Sequence, residues 1–251
     1  MKLKDKVAII TGGSAGIGKA IALGMANEGA NIVITARNEE RLKTAEQDIK
    51  AVGVEVLALK SDVSVISDIK GMIDKTIKKF GKIDILVNNA AISGSSVPFL
   101  EKDEETFDSV VAINQKGFFF CTQLVAREMV KKKYGKIIGI CSAQARVGIP
   151  LNSDYSGTKG AMLAMTRVMA AELSPMGINV NAIACGLTTD TKLISESKYP
   201  KEIIQMIVNT TPMRRTASVK DYIGMAILLA SDEGSFITGQ TISVDGGASM
   251  P

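Results

Sequence analysis

Tyr155 and Lys159 stand four residues apart in a stretch, 153–162, that reads as the opening turns of a helix. That spacing stacks a phenol and an ammonium on one helix face. Such a pair is either ordinary surface chemistry or a device for moving a proton. The composition bears on the choice, because the 251 residues include no histidine. A Ser-His-Asp triad, a histidine-based zinc site and a histidine general base are all excluded. An enzyme built from this chain must draw its acid or base from Tyr, Lys, Asp, Glu or Cys. A free phenol titrates near pH ~10, and lowering that by roughly two to three units means favouring the phenolate by ~3–4 kcal/mol. A nearby ammonium in a partly desolvated site supplies charge stabilisation of that order.

These side chains need a scaffold. Short β-branched runs at 6–10, 31–35, 55–60, 83–88, 135–140, 178–183 and 241–246 read as strands. They alternate with segments of helical period near 17–28, 39–51, 65–80, 104–132, 155–174 and 218–230. Nearly continuous hydrophobicity in the strands predicts a parallel sheet covered on both faces. Breakers fall where helices should end, at Gly29, Gly53, Gly81 and 174–177. No linker or repeat divides the chain, so one α/β domain over 1–251 is expected. The long polar stretch 186–217 breaks the alternation and has the length of a substrate lid with some helix of its own.

The bulk properties narrow the partners. A hydrophobic fraction of 46% supplies a sizeable core, and 22% charged residues is ordinary for a globular protein. The net charge of +4 is spread out, its densest cluster being Lys131, Lys132 and Lys133. Lysines at a helix end complement the dipole, and with aromatic and arginine partners scarce no nucleic-acid partner is expected. The first ten residues are too short and charged for a signal peptide, and no apolar run approaches a membrane span. Cys121, Cys141 and Cys185, irregularly spaced, read as reduced and mostly buried thiols. A cytoplasmic location without membrane attachment is the expectation.

Gly12, Gly16 and Gly18 lie between the first strand and the first helix. Glycine there allows a tight turn, close approach of a pyrophosphate and close helix–strand packing, while the helix N-terminus offers free N–H groups to phosphate. The spacing is G-x-x-x-G-x-G rather than the generic G-x-G-x-x-G. Residues 11–18 (TGGSAGIG), 88–91 (NNAA), Asn114, Ser142 and 155–159 (YSGTK) occur in the order and spacing of the classical short-chain dehydrogenase/reductase family. The chain resembles that family from Lys6 to about Gly247. The resemblance implies a single Rossmann-type domain with a doubly wound, seven-stranded parallel sheet, assembled as a tetramer. It also implies metal-free, NAD(P)-dependent interconversion of ketones and alcohols.

The resemblance assigns roles. Tyr155 is the proton donor, and Lys159 lowers its pKa and binds the nicotinamide ribose. Ser142 hydrogen-bonds the substrate oxygen. Asn114 holds a water linking Lys159 to solvent, or else is simply a polar residue that kinks its helix. Gly12, Ser14, Gly16, Ile17 and Gly18 form the cofactor turn. Asp62, with Val63 beside it, meets the adenine amine or serves as a helix cap. Asn89 faces the cofactor, and Thr188 lies near the carboxamide. Ala36 stands where NAD-preferring members carry an acidic residue, and Arg37 follows it. Loss of a carboxylate and gain of a guanidinium favour a 2′-phosphate, unless Arg37 is a solvated loop residue. NADP(H) is therefore preferred, with NAD(H) left open.

Three positions depart from the family pattern. Ala91 replaces a glycine and needs a permissive backbone angle or extra room. Cys185 replaces a proline, as a tolerated small residue or as a thiol with a redox role. A later threonine position falls on Asp190, between Thr189 and Thr191. Substrate specificity is expected to reside in 92–99, 143–152 and 186–217. A small ketone or secondary alcohol is the expected substrate. The alternatives are 3-oxoacyl-[acyl-carrier-protein] reduction and nucleotide sensing without catalysis. Of the paired basic residues that dock acidic carrier proteins only Arg127 is matched, the second position being Ala171. The mostly apolar 155–174 helix and the 104–132 helix, with Phe107, Val111 and Leu124, are the expected tetramer interfaces.

Overall fold

Ile9 and Ile10 are both fully buried, yet they pack into different cores. Successive strand residues point to opposite faces, so a strand with no exposed side must be covered twice. The computed structural model describes residues 1–191, 194 and 200–250. Its strands are β1 (Val7–Thr11), β2 (Asn31–Ala36), β3 (Val56–Lys60), β4 (Ile85–Asn88), β5 (Gly135–Ser142), β6 (Ile178–Cys185) and β7 (Thr241–Val244). They form one seven-stranded sheet in the order β3-β2-β1-β4-β5-β6-β7, with every pair parallel. The expected Rossmann-type, doubly wound, single-domain fold is the one observed.

The helices are α1 (Gly16–Asn27), α2 (Glu39–Lys50), α3 (Ile66–Phe80), α4 (Glu104–Val110), α5 (Gly117–Val130), α6 (Ser153–Leu173), α7 (Lys201–Thr210) and α8 (Ile223–Ala230). One core joins Ile10, Ile34 and Ile138 of the sheet to Met25, Leu42 and Leu229. The other joins Ile9, Val33 and Leu86 to Met72, Val125 and Met129. Local signals agree with this layering. Asn38 caps α2 by accepting from the Arg41 N–H at 2.9 Å, and Gly81 ends α3 with φ of 71°. Chain winding reverses between β1 and β4, so their loops diverge and open a crevice at the carboxyl edge of the sheet.

The expected single helix over 104–132 is not continuous. A π-helical segment, Val111–Lys116, separates α4 from α5 and contains Asn114. The amide of Asn114 makes a reciprocal pair with the main chain of Ile92, both bonds 2.9 Å. The widened turn is compatible with that pairing, and π turns of this kind recur at functional sites. The 218–230 helix likewise begins as a 3-10 turn, Val219–Tyr222, closed by a capping box between Ser218 and Asp221. Within 186–217 the helix α7 is present, while 192, 193 and 195–199 lie outside the described residues. Among the described residues no helix is long and apolar enough to cross a membrane.

Candidate active site

The crevice is a cleft of about 860 Å³ running from the glycine turn to the first turns of α6. Gly12, Ser14, Gly16, Ile17, Arg37, Asp62, Val63, Asn89, Ser142, Tyr155, Lys159 and Thr188 all line it. Every sequence-selected residue except Gly18 and Asn114 therefore faces one cavity, and those two sit directly behind its wall.

Gly12 and Gly16 take φ of 65° and 53°, a region that side-chain-bearing residues rarely adopt. Gly18 has an ordinary angle, but a Cβ there would lie 2.4 Å from Asn89 Nδ2 and 2.5 Å from the Gly12 carbonyl oxygen. Asn89 donates from Nδ2 to the carbonyls of Thr11 and Gly12, at 3.0 and 3.1 Å. Besides lining the cleft, it holds the glycine turn in shape. Thr11 Oγ1 accepts from the N–H groups of Asn89 and Ala90, tying β1 to the end of β4. A turn this close to its neighbours, with the N-terminus of α1 behind it, fits a pyrophosphate.

At the other end, Lys159 is 2% exposed and its Nζ donates to the Ile140 carbonyl at 2.7 Å. Nζ lies 5.6 Å from the centroid of the Tyr155 ring. Burial pushes the Lys159 ammonium below the usual lysine range. Ser142 closes β5 and accepts from the Gln144 N–H at 3.2 Å. Asn114 reaches α6 between Tyr155 and Lys159: Nδ2 donates to Thr158 Oγ1 at 3.2 Å, and that hydroxyl donates to the Tyr155 carbonyl at 2.8 Å. The Asn114 side chain thus bonds both the Ile92 main chain and Thr158.

The Asp62 carboxylate accepts from Ser64 N–H and Oγ at 2.9 and 2.7 Å. The position capping α3 is Val65, so Asp62 forms a turn rather than that helix cap. Its other oxygen lies 3.9 Å from Arg37 Nη1, a partly exposed pair of small energetic weight. Arg41, in the first turn of α2, lines the cleft as well and was missed by motif reasoning. An exposed helical arginine carries no motif, and only its position beside Arg37 and Asn38 reveals it.

The departures resolve locally. Ala91 is not among the residues with positive φ, so the alanine is accommodated without strain. Cys185 is buried at the cleft wall and its thiol is pushed up by burial, as are those of Cys141 and Cys121, the last to about 12. All three cysteines are free. Thr188 turns its hydroxyl to Tyr222 Oη, 2.6 Å away. Asp190 accepts from Ser218 Oγ and the Val219 N–H, whereas Thr191 lines the cleft with its methyl group over Gly16. Of Thr189, Asp190 and Thr191, it is therefore Thr191 that faces the cleft.

A single cleft that joins a glycine-rich dinucleotide turn to a buried Tyr–Lys pair defines a nicotinamide-dependent oxidoreductase of the Rossmann class. The chain belongs to the classical short-chain dehydrogenase/reductase family, and residues 12–249 match the family model described as enoyl-(acyl carrier protein) reductase. It is 35% identical to 3-oxoacyl-[acyl-carrier-protein] reductase of Staphylococcus epidermidis over 249 residues, covering 98% of this chain and 100% of that one. A crystal structure of NAD+-bound xylitol dehydrogenase superposes with a TM-score of 0.94 at 32% identity, covering 98% of this chain and 100% of the other. A gluconate 5-dehydrogenase from Burkholderia cenocepacia, in complex with NADP and tartrate, gives 0.92 at 35% identity, covering 98% and 96%.

Proposed function

We propose that the protein is an NADP(H)-dependent oxidoreductase that interconverts a free ketone and a secondary alcohol. The observation that carries this reading is the shared cleft of Ser142, Tyr155 and Lys159 with the glycine turn. The coenzyme supplies or takes up the hydride. Tyr155 Oη gives the carbonyl oxygen its proton, and Ser142 Oγ donates a hydrogen bond to the same oxygen. Lys159 stabilises the phenolate left behind and binds the ribose of the nicotinamide. Asn114, which holds Thr158 and the strand-end loop at Ile92, also positions a water that links Lys159 to solvent. No histidine is present to share this work.

Gly12, Ser14, Gly16, Ile17 and Gly18 hold the pyrophosphate, Asp62 and Val63 the adenine, and Asn89, Thr188 and Thr191 the remaining coenzyme face. Arg37 and Arg41 at the cleft mouth bind the 2′-phosphate of NADP(H), an anion suited to guanidinium forks. Residues 186–217 form the substrate lid of the single domain. We place the enzyme in the cytoplasm, on the support of its three free thiols. It works as a homotetramer: Phe107 and Val168 are exposed by 50% and 58%, and Gly157 and Gly160 leave open space on the same helix as Val168.

The likeness to 3-oxoacyl-[acyl-carrier-protein] reductase favours a second reading, a carrier-bound thioester substrate. The stretch 92–97 at the cleft carries no charge to engage an acidic carrier. Specificity constants for acetoacetyl-carrier protein and for cyclic, aromatic and vicinal ketones, at matched NADPH, decide between the two. A much higher constant for the thioester overturns the free-ketone reading. No NADPH oxidation with any carbonyl overturns both.

A further inference from the structure

Lys102 and Asp154 form an ion pair that the proton chemistry does not use. Nζ lies 2.9 Å from Asp154 Oδ1, and the side chains are only 11% and 2% exposed. The same Nζ donates to the carbonyls of Ser95 and of Leu151, the latter at 3.0 Å. An ammonium has three hydrogens, and here each is directed to a different segment. Ser95 belongs to the loop after β4, Leu151 to the loop after β5, and Asp154 to the first turn of α6. Asp154 Oδ1 also accepts the N–H of Tyr155 at 2.9 Å. The loop is drawn tightly over the carboxylate: Gly94 has φ of 72°, and a Cβ there would lie 2.4 Å from Asp154 Oδ2.

The two loops are the walls of the cleft opposite the coenzyme turn. Ser93, Val97, Val147 and Ile149 all line it. We propose that Lys102 and Asp154 are a positioning pair that clamps both substrate-binding walls to the turn carrying Tyr155 and so sets the width of the substrate pocket. This rests on the ketone-reductase reading. Stability alone does not account for the arrangement, since a buried ion pair is matched or bettered by apolar residues of similar volume. What apolar residues cannot do is hold three separate segments at hydrogen-bond distance from one atom.

The test compares Lys102→Met with the double variant Lys102→Met/Asp154→Asn, which removes the stranded carboxylate while keeping an acceptor for the Tyr155 N–H. The single variant should raise KM for the ketone ~10-fold, leave KM for NADPH within about twofold, and speed amide hydrogen exchange in both loops. The double variant should regain thermal stability yet keep the raised KM and the fast exchange. Recovery of KM together with Tm would show that only the unpaired charge mattered and would overturn the clamp. Unchanged exchange in both loops of the single variant would overturn it as well. If the wild type reduces no ketone, the functional reading fails, while the exchange measurement still decides the clamp.

Discussion

The Lys159 ammonium sits 5.6 Å from the centre of the Tyr155 ring while donating to the main chain of Ile140. One lysine thereby lies beside the Tyr155 phenol and is anchored to the central sheet. The two residues should respond differently to substitution. Tyr155→Phe should lower kcat by ~10³ or more, the range of general acid catalysis, with NADPH binding nearly intact. Lys159→Ala should damage both turnover and binding. Titration of coenzyme fluorescence beside single-turnover rates makes the comparison, and equal mild effects from both changes would contradict the roles.

Lys159 also carries a stability cost. Burial lowers its folded-state pKa below the unfolded value, so the penalty for a buried ammonium is full at low pH. It is relieved as pH rises through the folded value toward the ordinary lysine range. Lys159→Met should raise Tm of the coenzyme-free protein by ~2–4 °C at neutral pH, and the difference from wild type should shrink in alkaline buffer. Calorimetry across that range reads the effect; a variant less stable at every pH would refute it.

Arg37 and Arg41 both line the cleft, Arg37 lying 3.9 Å from Asp62. Arg37→Ala should raise KM for NADPH ~10-fold or more, the worth of a charge-assisted hydrogen bond, and leave KM for NADH almost unchanged. Arg41→Ala should act in the same direction. A wild type that prefers NADH would remove the basis for both expectations.

At Gly18 the obstacle to a side chain is packing rather than backbone angle. The Cβ of Gly18→Ala would press on the Gly12 carbonyl oxygen and on the amide that holds it, neither of which can yield cheaply. A loss of ~1–3 kcal/mol and a weakened affinity for either coenzyme should follow, measured by denaturant unfolding and calorimetric binding. Normal binding in a stable variant would mean that the turn shifts freely.

Val168 stands exposed on α6. Val168→Asp should lower the sedimentation coefficient from that of a tetramer toward smaller species without loss of secondary structure. A wild type that sediments as a monomer would refute the assembly.

Much of this was legible in the sequence because the relevant signals are local. Each strand of the doubly covered sheet is a short apolar run, and the glycine turn, Ser142, Tyr155 and Lys159 sit at fixed offsets from strands. What escaped depends on contacts distant in sequence. The period of 104–132 runs unbroken, and only Ile92 shows why the helix widens at Asn114. Which of Thr189, Asp190 and Thr191 faces the cleft is set by the Thr191 hydroxyl bonding back to the Thr188 carbonyl, and by Ser218 drawing Asp190 away. The reach of Lys102 to Asp154 spans 52 residues, and neither belongs to a motif.

The π segment at 111–116 has a consequence for the register of everything beyond it. An α-helix turns ~100° per residue, so one residue more in a turn rotates the following helix by about that angle. Phe118, Cys121 and Val125 lie beyond the segment and are buried in that phase. Tightening the segment to regular α-turns with all its residues kept would swing that apolar stripe off the sheet, whereas removing one residue as the turn tightens would leave the stripe in place. Asn114 therefore sits in a turn whose width and residue count are matched to each other, and changing either without the other would rephase the whole of α5.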